Sequence, residues 1–224
     1  MTHFLSRHSA AIFAVFTILA LIAFWRNYLG KLDAPHTPAL HAHAAAMFAW
    51  CGLLIAQGTL IRLKRHAWHA WLGRASYALV PLILVSGWFV SMDSIAKVAA
   101  NPVLRDARFA LMIHSLIAFG AIFALGMRAR RDPAIHARYM VGTVFPMVTP
   151  VTDRLIFHHL PSLVPYLPTL EGRPRAYTAG FLLADAVLVA LLITDWKNPK
   201  TRHVFAVVLG IVLVYQASVV WHAA

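Results

Sequence analysis

Two isolated histidines and one knot of charges carry the chemistry that can be read from this chain. His43 in "HAHAAAMFAW" and His114 in "ALMIHSLIAF" each stand in an apolar run. Further on, "PVTDRLIFHHLP" (150–161) sets Asp153, Arg154, His158 and His159 at the end of another such run. Asp185 lies inside "FLLADAVLVA". Imidazoles on separate helices with a carboxylate form the donor set of zinc, copper or non-haem iron, so His43, His114, Asp153 and Asp185 are candidate metal ligands. His43 and His114 equally match the two axial ligands of a b-type haem, with Arg154 neutralising a propionate. A third chemistry is a proton-coupled carrier, with Asp185 as acceptor and Asp153, Arg154 and the histidines as relay. The same residues also serve a plain ion-pair network in a structural or assembly subunit that binds nothing.

The spacing restricts these options. No H-E-x-x-H or other compact ligand motif is present. His41 and His43 project roughly 200° apart on a helix, so one ligand site takes only one of them. Ser115 follows His114, and adjacent helix positions do not face each other, which argues against a nucleophile and base pair. A stacked two-haem arrangement also fits poorly. His69 and His136 lie about 39 and 33 Å along helical chain from His43 and His114, a whole membrane thickness.

The elements that position these groups are membrane spans. Of 224 residues, 60% are hydrophobic and 12% charged, about half the charged share of a soluble domain. An all-α, polytopic transmembrane bundle of about seven spans follows, at roughly 9–28, 38–63, 75–93, 108–127, 139–160, 176–194 and 204–222, within a single transmembrane domain over 1–224. The basic N-terminus followed by an apolar run resembles a signal peptide but lacks a small-x-small cleavage site, so it counts as the first span. Six spans is the main competing count. The +12 net charge sits in short loops, which points to topology rather than nucleic acid. Twelve Lys and Arg fall on the N-terminal side and eight on the other. That bias puts the N-terminus in the cytoplasm, in a bacterial inner membrane. Cys51 is the single cysteine, which excludes an internal disulfide or a Cys-based cluster.

Depth then groups the polar residues. At ~1.5 Å per residue, His43 and His114 lie roughly 8 and 9 Å below the outer boundary, Asp153 and Arg154 about 10 Å, and Asp185 about 14 Å. Gln216 and His222 share that outer half. A charge at such depth costs roughly 2.5–3.5 kcal/mol, so these side chains are expected to face the bundle interior and pair, Arg154 with Asp185 in particular. Arg154 and His158 share one helix face. Pro146 and Pro150 are expected to kink the helix below them. Residues 94–107 are expected as a short surface helix, and the proline-rich 161–175 as a stiff, non-helical cover. The stretch "IRLKRHAWHAWLGR" (61–74) is expected to meet anionic lipid headgroups at the cytoplasmic face. Membrane partner subunits are compatible with this layout.

Three stretches resemble a family. "HAHAAAMFAWCGLLIAQGTL", "HAWLGRASY" and "HARYMVGTVFPMVTPVTDR" are similar to uncharacterised bacterial multi-pass membrane proteins with H-x-x-x-G-R and H-x-R-x-M…R motifs. The matching positions are His43, Gln57, His69 with Gly73 and Arg74, His136 with Arg138 and Met140, and Arg154. The family usually has His-Arg where this chain reads His69-Ala70 and His136-Ala137. The resemblance supplies no reaction. It does imply a second site at His69, His136 and Arg138. The leading expectation is a metal- or haem-binding redox component.

Overall fold

Helix starts follow directly from local sequence. Thr37, Asn101 and Asp132 each precede a proline, and each side chain accepts backbone N–H groups of the first turn. Thr37 Oγ1 takes Leu40 N at 3.3 Å, Asn101 Oδ1 takes Leu104 N at 3.0 Å, and Asp132 Oδ1 takes Ala134 N at 3.1 Å. Pro38, Pro102 and Pro133 then fill the first helical position, where the missing N–H costs nothing.

In the computed structural model, which describes residues 2–170 and 172–223, the helices are α1 (Thr2–Trp25), α2 (Pro38–Arg62), α3 (His66–Gly73), α4 (Ser76–Ala96), α5 (Pro102–Arg128), α6 (Pro133–Gly142), α7 (Phe145–His159), α8 (Tyr177–Asp195) and α9 (Arg202–Ala223). A two-stranded hairpin pairs β1 (Thr169–Leu170) with β2 (Arg173–Pro174). The side chain of Arg7, one of the charges used for orientation, lies outside the described residues.

The chain divides into two compact units, Met1–Val90 and Ser91–Ala224. In the first, α1 packs along α2, and α3 packs against α2. In the second, α5 lies along α9, α8 contacts both α7 and α9, and α6 contacts α5 and α9. Its core joins Ala110, Ala118, Tyr177, Phe181, Tyr215 and Val219. The Phe181 ring stands edge-on to Tyr215 with centroids 5.4 Å apart, a favoured aromatic geometry.

Among the described residues, six stretches are long and apolar enough to cross a membrane: His8–Lys31, Pro38–Arg62, His66–Ala96, Pro102–Arg128, Tyr177–Asp195 and Arg202–His222. Large apolar side chains point outward from them, Leu182 at 71% and Val214 at 72% exposure. Water disfavours such a surface by about 25 cal/mol per Å², whereas lipid does not. The chain reads as a multi-pass, all-α membrane protein.

The segment expected as a span at 139–160 is not one helix. Pro146 has no N–H for the Gly142 carbonyl and its ring crowds that group. The helix accordingly stops at Gly142 and restarts at Phe145. The separate surface helix expected at 94–107 is also absent. The Asn101 cap and Pro102 make residues from 102 onward the first turns of α5. Residues Pro161–Tyr166, expected to be non-helical, form 3-10 turns, whose φ values suit proline.

Candidate functional site

His114 is held by a serine on a neighbouring helix. Its Nδ1 lies 2.6 Å from Ser218 Oγ, and Ser218 Oγ lies 2.6 Å from the Tyr215 carbonyl. A hydroxyl has one proton, so Ser218 donates it to the carbonyl and accepts from His114 Nδ1–H. The neutral imidazole therefore carries its lone pair on Nε2. The ring also meets Phe109 edge-on, centroids 6.0 Å apart.

His114 borders an apolar groove of about 510 Å³ between α5 and α9. Ala118, Ala121 and Gly210 give the groove its depth, and Ile117 and Val214 form part of its lining. Cofactor sites are typically ~300–1,000 Å³, mostly apolar, with a few placed polar groups. The groove matches that range in volume and apolar lining, and His114, Tyr215 and Ser218 are its polar residues.

His43, in the other unit, repeats the device. Its Nδ1 lies 3.3 Å from Ser86 Oγ, which donates to the Leu82 carbonyl at 2.5 Å. His41 turns the other way, with Nδ1 2.8 Å from the Tyr28 hydroxyl, as the helical phase of "HAH" requires.

The expected Arg154–Asp185 pair does not form. Asp185 on α8 accepts from Gln216 Nε2 on α9 at 3.0 Å. Arg154 curls along α7 and donates from Nη1 to the Pro150 carbonyl at 2.8 Å. The physical reason is that a side chain four residues along a helix reaches its own backbone without leaving the helix surface. Asp153 lies within electrostatic reach of Arg154, His158, Arg108 and Arg175.

The strongest polar contact lies among the residues of the expected second site. Arg138 Nε and Nη2 donate to the two carboxylate oxygens of Asp195, both at 2.6 Å, and Nη1 donates to the Ala134 carbonyl at 2.8 Å. Both side chains are fully buried. This ties α6 to the end of α8. Sequence reasoning did not single out Asp195, because a carboxylate closing a span passes for a solvated boundary charge. The available signal was Arg138 itself, which shares the buried helix face with Gly142. Nearby, Lys200 Nζ meets Asp132 Oδ2 at 2.7 Å.

His136 Nδ1 donates to the Gly126 carbonyl at 2.8 Å. Gln57 Nε2 donates to the His69 carbonyl at 3.1 Å, so two resemblance positions join α3 to α2 through backbone rather than through a shared ligand. Among the described residues, no three His, Cys, Asp or Glu side chains gather as a metal site. Comparison with family models, curated proteins and solved structures gives no match to this chain.

Proposed function

We propose that this chain is a membrane-embedded redox component that holds a b-type haem, with His114 as an axial imidazole. The reading rests on one observation above others. Ser218 fixes the tautomer that leaves the Nε2 lone pair available at an apolar groove. Ligating histidines characteristically donate their other ring N–H to such a partner, which sets ring orientation and raises basicity. His43, fixed likewise by Ser86, is proposed as the ligand-bearing imidazole of its own unit. A bare divalent metal has less support, because it needs a convergent set of donors.

The test is the absorption spectrum of the full chain purified in mild detergent, oxidised and dithionite-reduced, with elemental analysis of the same sample. A stoichiometric Soret band that His114→Ala removes is the expected result. A colourless, iron-free, folded protein overturns the reading.

We further propose that α6 and α7 together make a seventh, broken crossing. Their 10 and 15 residues rise roughly 15 and 22 Å, enough for a ~30 Å hydrocarbon core. The N-terminus is then cytoplasmic, in a bacterial inner membrane, and the 61–74 stretch meets anionic headgroups there. A second reading, a structural or assembly subunit, is favoured by the Arg138–Asp195 pair, which fixes packing without a ligand.

A further inference from the structure

At the opposite end of the second unit from Arg138, arginines crowd around a single place. Arg108 stands near the start of α5, and Arg173 and Arg175 flank the hairpin's end just before α8 begins. Arg108 Nη1 donates to the Ser94 carbonyl at 3.0 Å. Arg175 Nη2 donates to the Leu170 carbonyl at 3.1 Å, and its guanidinium lies over the Tyr177 ring, 5.9 Å from the centroid. Those bonds fix both guanidinium groups but neutralise neither. Arg175 Nε is a buried N–H with no acceptor among the described residues.

The charges do not cancel. Arg108, Arg154 and Arg175 lie within electrostatic reach of Asp153, Arg173 lies within reach of Arg175, and Glu171 is the only other acid in the 150–176 stretch. Counting both acids, a net charge of +2 remains. Burial lowers Arg175's hold on its proton, and Arg108 and Arg173 add to that effect, while Tyr177 and Asp153 oppose it. Like charges drawn together at partial burial are stabilised by an anion that accepts from several of them at once.

The level of the cluster identifies the anion's source. Arg108 and Arg175 stand at the boundary of two membrane-crossing stretches, Pro102–Arg128 and Tyr177–Asp195. Exposed apolar side chains, Leu163 and Tyr166, occupy the adjoining 3-10 segment, with exposed Leu160 just before it. Guanidinium groups at that depth with apolar groups beside them match a phosphate attached to acyl chains. We propose that Arg108, Arg173 and Arg175 form a binding site for the phosphodiester headgroup of an anionic phospholipid. The site is independent of the haem reading and stands whether or not His114 binds a ligand.

The experiment is a binding titration of the full chain in neutral detergent, by native mass spectrometry. The probes are phosphatidylglycerol, phosphatidylcholine and inorganic phosphate. Saturable phosphatidylglycerol binding is expected, about tenfold weaker in Arg175→Gln and Arg108→Gln, as loss of a charge-assisted bond implies. Arg130→Gln, an exposed position just past the other end of α5, is expected to change nothing. Arg173 is exposed, so Arg173→Gln folds normally and its weakened binding keeps the test valid if the other variants misfold. Equal binding in wild type and Arg173→Gln, with unchanged binding in whichever of the other two variants folds, overturns the site. Inorganic phosphate binding as tightly as the lipid, with the same arginine dependence, overturns the lipid assignment.

Discussion

Arg138 and Asp195 stand 57 positions apart in the chain and meet as a two-pronged ion pair with no solvent access to either side chain. The third nitrogen of the guanidinium is taken by the Ala134 carbonyl. Such a pair is costly to desolvate, and its geometry offsets that cost only while both partners remain. Asp195→Ala is therefore expected to destabilise the protein by about 3–5 kcal/mol. The double change Arg138→Leu with Asp195→Leu should recover part of the loss. Unfolding of the detergent-solubilised variants measures both, and a near-zero effect of Asp195→Ala would show that the pair is immaterial.

Ser218 should tune His114 rather than bind anything itself. In Ser218→Ala the Nδ1–H loses its acceptor, and the ring is free to reorient. On the haem reading, the Soret band persists but the midpoint potential and the retention of haem both change. On the structural reading, there is no band to shift, and only a modest loss of stability of about 1 kcal/mol is seen.

Gly180 marks a close approach of α8 to α7. A Cβ built there falls 2.9 Å from Thr149 Cα and meets Thr152 Oγ1 as well. Backbone cannot yield as a flexible side chain does, so Gly180→Ala is expected to cost roughly 1–3 kcal/mol. Thermal unfolding of the variant checks this, with the open-sided Gly52→Ala as the control, since nothing lies within 4 Å of a Cβ there.

Asp132 carries a pH dependence of known sign. Lys200 beside it, with the first backbone N–H groups of α6, holds its carboxyl below the ordinary carboxylate range. A lowered folded-state pKa stabilises the fold above the unfolded-state value, near 3.9 for Asp, and that contribution is lost as pH falls through the folded value. Asp132→Asn should flatten this acid limb and leave the alkaline side unchanged. An identical acid limb in the variant would remove Asp132 from the account.

Asp185 depends on Gln216. Replacing Gln216 by Leu leaves a partly buried carboxylate without its donor, at an expected cost of about 1–3 kcal/mol. Asp185→Leu with Gln216→Leu should be closer to neutral, because both polar groups leave together.

The apolar runs and the opposite facing of His41 and His43 were legible in the sequence, and the proline-led caps at Thr37, Asn101 and Asp132, which the expected helix over 94–107 passed over, rest on equally local signals. Each depends on residues within a turn or two of one another, so local propensity and helical phase decide them. The prolines at 146 and 150 announced a disturbance, and the break between Gly142 and Phe145 is its physical form.

Partner choice was a different matter. Asp185 faced two candidates of suitable charge or polarity, and only the packing of α8 on α9 selected Gln216 over Arg154. Likewise Arg138 found Asp195 through the meeting of α6 with the end of α8. Depth along a span can be counted from one dimension, but rotation and lateral position come from side chains interlocking across helices. Sequence determined that these groups are buried in a membrane protein, and tertiary packing decided which of them touch.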